Sequence, residues 1–397
     1  MGALNGIRIV DLSRVLGGPY CTQILADHGA SVIKIEPPSG DETRGWGPPF
    51  LGETASYFLG LNRNKRAISI DLSKERGRDL LLRLLEDADI LVENFKSGTM
   101  ERWGLSYEKD LANKFPRLIY CKVSGFGETG PLGGLPGYDA VAQAMSGLMS
   151  VNGEKEGQPM RMGAPVIDMV TGLNAALGIL LALQERGVTG LGQRVESTLY
   201  DSGVSLMHPH LPNYFLSGRS SVPSGNAHPN ICPYDLYATG TTPIFLAVGN
   251  NKQFSKLALV LGNPEMSSRP EFRTNSDRLS HSSLLRKEIE ASTKKFDGAD
   301  LADLLMSKGV PCGSVSDTAR VAQHEHTVHR EMMVSIGNHY KGIGSPIKLS
   351  RSKAEYRTAP PVFGSDTISV LEEAGFSSAN INELVADGVV FVAGGSQ

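Results

Sequence analysis

A lone carboxylate, Asp168, stands where the apolar run 164–167 gives way to a long helical pattern, and that setting suits a nucleophile. Leu173, Ala176, Leu177, Leu180, Leu181 and Leu183 recur at helical spacing, and Gly187 after Glu185 and Arg186 reads as a C-terminal stop. The pattern puts Asp168 at or beside a helix N-cap. There the unpaired backbone N–H groups and the positive end of the helix dipole favour an ionised carboxylate by roughly 0.3 to 1 kcal/mol. Asp is also a preferred capping residue, so this segment leaves capping and catalysis both open.

The other chemistry-bearing patterns are weaker. Gly125-Phe-Gly127-Glu-Thr-Gly130 matches G-x-G-x-x-G after a strand-like run, but Pro131, Gly133, Gly134 and Pro136 follow, so no helix starts where a pyrophosphate would need one. It reads as a glycine-rich loop. His324, His326 and His329 with Glu325 lack a cysteine or an obvious fourth ligand and read as a solvated helix face, so no metal is expected. His208 and His210 flank a proline in an apolar run and read as packing or interface residues. The chain has neither a G-x-S-x-G elbow nor a G-x-x-x-x-G-K-[ST] loop, which leaves serine hydrolysis and nucleoside triphosphate chemistry unsupported.

The elements that must position Asp168 alternate. Strand-like runs at 7–12, 31–36, 67–72, 90–95, 118–124 and 194–199 are interleaved with helical patterns such as 19–28 and 74–88. This alternation predicts an α/β fold with a mostly parallel sheet covered by helices, and ligands beyond the carboxyl ends of the strands. Turn formers crowd 218–233 and mark a domain boundary. We expect a large domain beginning with 1–205, a smaller α+β domain at 225–329, and a return to the large domain at 340–397, with a strand and two short helices over 344–390. Residues 206–224 and 330–339 are expected as linkers, and the tail 393–397 as frayed.

A chain of 397 residues can bury a large core, and a net charge of −3 gives no electrostatic reason to expect nucleic acid or anionic membrane as the main partner. Cys21, Cys121, Cys232 and Cys312 lie far apart with no C-x-x-C pair, which fits reduced thiols. The N-terminus shows no signal-peptide pattern, and the most apolar window, 169–183, is short for a membrane span and contains Thr171 and Asn174. A cytoplasmic protein is expected.

Residues 4–37 closely resemble the start of the class III CoA-transferases, the family that includes formyl-CoA and carnitine CoA-transferases. Asn64-Lys65-Arg66, Val92-Glu93-Asn94-Phe95, Pro136-Gly137-Tyr138-Asp139 and the segment 163–172 around Asp168 resemble the family's further landmarks, in the same order. Pro233-Tyr234, Gly309-Val-Pro311 and Gly344-Ser-Pro346 fit as well. The resemblance implies a Rossmann-like large domain, a smaller α+β domain and an interlocked homodimer. It implies Asp168 as catalytic carboxylate and a CoA site along Val15 and Leu16, near Ile70, against Asn94, Phe95 and Arg102, and over Tyr138 and Asp139. Coenzyme A would be a substrate moiety, with no tightly bound cofactor. For Val15 and Phe95, ordinary core packing is the alternative reading. Pro37 and Pro136 stand where similar formyl-CoA transferases carry basic residues, and 225–230 replaces their glycine-run loop, which argues against an oxalate-type substrate.

Residues 41–49 and 248–254 look most like members that take succinyl-CoA as donor and a short dicarboxylate as acceptor. Arg44 could grip a distal carboxylate or be a surface arginine, and Trp46 and His228 are further candidates for the substrate site. An α-methylacyl-CoA racemase of the same fold is the nearest rival, but similar racemases place a His where Tyr138 stands, and a phenol with pKa near 10 is a poor base. A CoA-binding module without catalysis is the rival of another class.

Overall fold

The computed structural model describes residues 2–393. The described residues divide into two compact units, one built from 2–148, 162–209 and 326–393, the other from 149–161 and 210–325.

The first unit is organised by a seven-stranded sheet. Its elements in chain order are β1 (Arg8–Asp11), α1 (Gly17–Asp27), β2 (Ser31–Glu36), β3 (Lys65–Ile70), α2 (Glu75–Leu85), β4 (Ile90–Glu93), β5 (Ile119–Ser124), α3 (Asp139–Met145), α4 (Val166–Thr189), β6 (Arg194–Thr198) and β7 (Val390–Phe391). The strand order is β7-β3-β2-β1-β4-β5-β6, parallel throughout except for β7, which runs antiparallel to β3. The parallel strands are near-continuous runs of Ile and Val because helices cover both faces. Val10, Ile68 and Leu91 pack on one face against Leu80, Leu81, Leu84 and Leu85 of α2. Ile9, Val32 and Val92 pack on the other, against Cys21 and Leu25 of α1 and Ala175 and Ile179 of α4. The order reverses direction between β1 and β4, and loops leaving neighbouring strands part at such a point to open a crevice.

Helix α4 lies close against α1. A Cβ on Gly172 would stand 2.6 Å from the carbonyl oxygen of Gly17, so this contact requires glycine. The helix is longer than its sequence pattern suggests. It starts at Val166, continues through Gly187 and stops at Gly190, which takes the left-handed conformation (φ 77°) and donates its N–H to the Arg186 carbonyl at 2.8 Å. At 24 residues it is long and apolar enough to cross a bilayer, yet Gly172, Ala175, Ala176, Ile179 and Ala182 are buried inside the protein.

The second unit pairs the strands Tyr234–Tyr237, Ile244–Ala247 and Cys312–Ser314 in an antiparallel sheet. Helices Asn251–Val260, Ser282–Thr293 and Gly298–Ser307 contribute Phe254, Leu257, Leu285, Ile289, Leu301 and Leu305 to its core. The stretches expected as linkers carry structure, because 206–224 includes the helix His210–Ser217 and 330–339 the strand Met333–Ile336. That strand pairs with Tyr340–Ile343, and Gly344 donates to the Met332 carbonyl at 2.7 Å to close the hairpin. Residues 344–349 form a loop, with Pro346 unable to donate to a ladder, and the two short helices expected in this last stretch are Thr367–Glu373 and Ser378–Ala386, followed by β7. Part of the expected tail, 394–397, lies outside the described residues.

Gly172→Ala is expected to cost on the order of 1–3 kcal/mol because backbone, not a movable side chain, meets the new methyl. Gly187→Ala, with nothing within 4 Å of its Cβ, is expected to leave the thermal midpoint unchanged or higher. Equal midpoints for the two variants would contradict the close helix contact.

Candidate active site

The loop 13–19 between β1 and α1 is pinned from below by buried charge. Lys34 Nζ donates to the Ser13 carbonyl at 2.7 Å, and Lys65 Nζ donates to the Pro19 carbonyl at 2.9 Å. Each lysine has a carboxylate partner, Asp41 at 2.9 Å for Lys34 and Asp11 at 3.2 Å for Lys65, and all four side chains are fully buried. Burial alone would raise the Asp11 carboxyl, but Lys65 and Lys34 outweigh it and hold it below the usual range, while burial pushes Lys65 down to about 8. Asn94 braces the loop from the side. Its Oδ1 accepts from the Arg14 N–H at 2.9 Å and its Nδ2 donates to the Arg14 carbonyl at 2.7 Å. Between these braces Val15 adopts φ 69°, a left-handed conformation that costs a β-branched residue roughly 1–3 kcal/mol.

Asp168 is the third residue of α4, and the residue at its N-cap, Pro165, caps nothing with its side chain. The cap comes instead from Asp139 at the start of α3. Asp139 Oδ1 accepts from the N–H groups of Ile167 at 2.8 Å and Asp168 at 3.1 Å, and its Oδ2 accepts from Gln143 Nε2 at 2.6 Å. The Gln143 side-chain oxygen accepts in turn from the Met162 N–H at 2.8 Å, tying down the segment that leads into α4. Burial first, and then the neighbouring charge of Asp139, push the Asp168 carboxyl up to about 7. The ionised form expected from the helix dipole alone is thus only marginally favoured at neutral pH. A Cβ built on Gly17 lies 3.8 Å from Asp168 Oδ1, so the carboxylate sits beside the N-terminal turn of α1, whose first N–H groups have no acceptor within that helix.

Asp168 opens onto a cleft at the carboxyl ends of β1, β4 and β5, where the strand order reverses. Val15, Leu16, Asn94, Phe95 and Tyr138 line it with Asp168, as do Arg14, Lys96 and the 123–127 segment. Leu16 also borders a second, mainly apolar recess of about 360 Å³, shared with Tyr57, Ile24, Met169, Leu173 and Pro346. No helix begins in the Gly125–Gly130 loop; the next is α3. A half-buried carboxylate facing an open cleft is suited to attack on an acyl carbon.

Residues 4–367 match the model of CoA-transferase family III. The chain belongs to that family. A succinate–glutarate CoA-transferase of Agrobacterium fabrum is 38% identical over 93% of this chain and 95% of its own length. An acetyl-CoA:oxalate CoA-transferase of Acetobacter aceti is 37% identical over 88% of this chain and 90% of its own. A crystal structure of a CAIB/BAIF family protein from Brucella suis superposes with a TM-score of 0.86 at 38% identity, covering 94% of this chain and 99% of that one. This protein is therefore an enzyme, a CoA-transferase.

The structure of this CoA-transferase redistributes several roles. Asp139 lies beneath the cleft as the cap of α4 and not on its wall, and the Asn94 side chain is committed to Arg14. Ile70 is a core residue, 1% exposed, because its side chain faces the α2 layer. Arg102 does not line the cleft; its Nη2 donates to Thr99 Oγ1 at 2.8 Å. Arg44 is not free to grip a substrate carboxylate. Its Nε and Nη2 form a bidentate pair with the buried Glu36 at 2.8 and 2.6 Å, Nη1 and Nη2 donate to the Pro361 carbonyl, and the guanidinium covers the Phe58 ring at 3.7 Å. Trp46 is 42% exposed and meets Tyr57 edge-on at 5.2 Å. His228 belongs to the second unit, where its ring lies against Tyr234 and its Nδ1 accepts from the Asn230 N–H at 3.0 Å.

Sequence reasoning missed Tyr57, because Tyr57-Phe58-Leu59 reads as plain core. Burial and then the charges of Asp168, Asp139 and Asp41 push the Tyr57 hydroxyl up to about 12, so it stays protonated and able to donate. Lys34 and Lys65 fall within segments that carry the family resemblance, but their role as buried braces was missed, since nothing in a sequence distinguishes a buried lysine from a surface one.

If transfer needs ionised Asp168, kcat/KM rises with pH through about 7. Asp139→Asn keeps the capping oxygen and removes the charge, and is expected to move that limb to lower pH; an unmoved limb would refute the coupling. Stability gives an independent check. The folded carboxyl holds its proton to about 7 while the unfolded one ionises near 3.9, so the folded state binds more protons in that window and loses stability as pH rises. Asp168→Asn should match the wild type at pH 4 and exceed it by on the order of 2 kcal/mol at pH 8 in denaturant titrations.

Proposed function

We propose that this enzyme moves coenzyme A from succinyl-CoA, or a closely similar acyl-CoA, to a short dicarboxylate, with Asp168 as the nucleophile. The observation that carries the proposal is the Asp168 carboxyl itself, facing the crevice at the strand-order reversal, on a lining that includes Ser97 and Ser124 but, among the described residues, no cysteine. A serine ester or cysteine thioester would be too stable a carrier for exchange between carboxylic acids, whereas an anhydride is not.

The Asp168 carboxylate attacks the donor thioester carbon, the C–S bond breaks, and an aspartyl anhydride and CoA thiolate result. The thiolate then attacks the aspartyl carbonyl and releases the donor acid, leaving an aspartyl-CoA thioester. The acceptor carboxylate attacks that carbonyl, expels CoA thiolate and forms a second anhydride. Thiolate attack on the acceptor acyl carbon gives the new acyl-CoA and restores the Asp168 carboxylate. Each tetrahedral oxyanion needs a donor, which we assign to the N-terminal turn of α1 and the protonated Tyr57 hydroxyl. The apolar recess beyond Leu16 would take the methylene carbons of a diacid and keep water from the intermediates. The dicarboxylate substrates in the names of the Agrobacterium and Acetobacter relatives support an acceptor of that class.

We also propose a homodimer. Leu173, Leu177, Leu180 and Leu181 form an exposed apolar stripe along α4, and a stripe of that kind marks a protein interface. A second copy covering it accords with the interlocked arrangement of the family. The free cysteines accord with a cytoplasmic location.

Asp168→Ala and Asp168→Asn are expected to abolish exchange while CoA binding survives, in a donor-by-acceptor panel read by mass spectrometry of the CoA esters. More than a few per cent of residual transfer would refute the nucleophile. A preference for monocarboxylate acceptors would refute the substrate class.

A further inference from the structure

Two helices wall the apolar recess beyond Leu16. Tyr20, Gln23, Ile24 and Asp27 recur along α1 at the spacing of a single stripe, and Met169 and Leu173, one turn apart on α4, line the same space. Most polar groups on these walls are already committed. Gln23 donates through Nε2 to the Gly60 carbonyl and accepts at Oε1 from the Arg63 N–H, both at 3.2 Å. Asp27 accepts a bidentate pair from Arg63 at 2.9 and 2.6 Å and a third bond from Asn64 Nδ2 at 2.9 Å, and Ser345 Oγ accepts from the Ile347 N–H at 3.2 Å. The hydroxyls of Tyr20 and Tyr57 differ, for neither has a hydrogen-bond partner among the described residues. A tyrosine hydroxyl withdrawn from water ordinarily finds one, so two unpaired donors on an apolar wall point to a ligand that accepts.

The two hydroxyls stand at different depths. Tyr57 is the one that feels Asp168, whose charge is the strongest acting on it. Tyr20 is the fourth residue of α1, its N–H donates to the Leu16 carbonyl at 2.8 Å, and its ring packs on α4 so closely that a Cβ on Gly172 would stand 3.1 Å from Cδ1. Gly172 lies four residues past Asp168, which is roughly 6 Å along the helix axis. Tyr20 therefore stands a helical turn beyond the reacting carboxylate, at the reach of a short carbon chain. Burial keeps its hydroxyl above the usual pKa and so protonated. Of the two neighbouring charges, Arg63 acts on it more strongly than Asp27, which puts the hydroxyl on the cationic side of that pair. A donor so placed favours an anionic acceptor.

Resting on the transferase reading, we propose that the Tyr20 hydroxyl donates to the distal carboxylate of the diacid and so sets the preference for dicarboxylates over monocarboxylates. Arg44 cannot take that role, because Glu36 holds it. A monocarboxylate of equal length would bring only a methyl group to Tyr20 and leave the hydroxyl unpaired, which is the arrangement that discriminates most strongly. Both halves of the exchange pass through the same Asp168 carbonyl, so the donor acid leaves the place that the acceptor enters and one hydroxyl serves both. A neutral phenol also suits an acid that must depart in every turnover, since it adds selectivity without the grip of a bidentate guanidinium.

The test is steady-state transfer from succinyl-CoA to glutarate and to pentanoate, in which a methyl replaces the second carboxylate, by wild type, Tyr20→Phe and Tyr57→Phe, with CoA binding followed by calorimetry. Tyr20→Phe keeps the ring against Gly172 and removes only the hydroxyl. It should lower kcat/KM for glutarate about tenfold or more, through KM, while kcat/KM for pentanoate and the affinity for CoA stay unchanged. Tyr57→Phe should instead lower kcat with both acids alike. Equal losses for the two acids in Tyr20→Phe, an unchanged kcat/KM for glutarate, or a parallel loss of CoA affinity would overturn the assignment. So would a loss confined to glutarate in Tyr57→Phe, which would place the distal carboxylate on Tyr57. Failure of the wild type to transfer CoA to either acid would bring down the transferase reading itself, and a wild-type preference for pentanoate would bring down the dicarboxylate class.

Discussion

Asp139 holds the first N–H groups of α4 with one carboxylate oxygen and Gln143 with the other, and the properties of Asp168 follow from that arrangement. A cap supplied from another element satisfies buried donors that Pro165 cannot serve, a contribution of about 0.5–2 kcal/mol in comparable cases. It also places a negative charge beside the carboxyl of the third helical residue. Helix dipole and cap therefore act in opposite directions on Asp168: the helix end favours ionisation, while burial and the capping carboxylate resist it and win by enough to bring the group near neutrality. A carboxylate with a raised pKa is the better nucleophile, and it remains a competent leaving group for exchange between acids of similar strength.

The second constraint is the loop 13–19. Its carbonyls are drawn down onto two ammonium groups, Lys34 within β2 and Lys65 at the start of β3, and the lysines are in turn neutralised by Asp41 and Asp11. Buried ion pairs of this kind contribute little net stability, because desolvation cancels much of the attraction. Here they fix a conformation that Val15 would not adopt freely. The fixed loop presents Arg14 and Leu16 to the cleft and brings Gly17 close enough to α4 that Gly172 can carry no side chain.

The parallel sheet was legible in the sequence because its strands are apolar on both faces and its helices are amphipathic, so that β1, β2 and β4 stood out as compact Ile and Val runs. Asp168 was legible as a carboxylate at a helix start, though its offset from the cap was not, since the cap lies 29 residues away in Asp139. Arg44 shows the opposite limit. An arginine in a glycine-rich loop looks available until the fold brings Glu36, eight residues away in sequence, beneath it and Pro361, 317 residues away, beside it. Tyr57 and the buried lysines were hidden for the same reason, because their roles come from the charges the fold sets around them.

The claim most open to direct test is that Asp168 carries the acyl and CoA groups covalently. Wild-type enzyme incubated with succinyl-CoA and no acceptor, then quenched, digested and analysed by mass spectrometry, should yield the Asp168 peptide bearing CoA in thioester linkage, removable by hydroxylamine. An unmodified Asp168 peptide during active turnover, or CoA bound covalently to any other residue, would contradict the account.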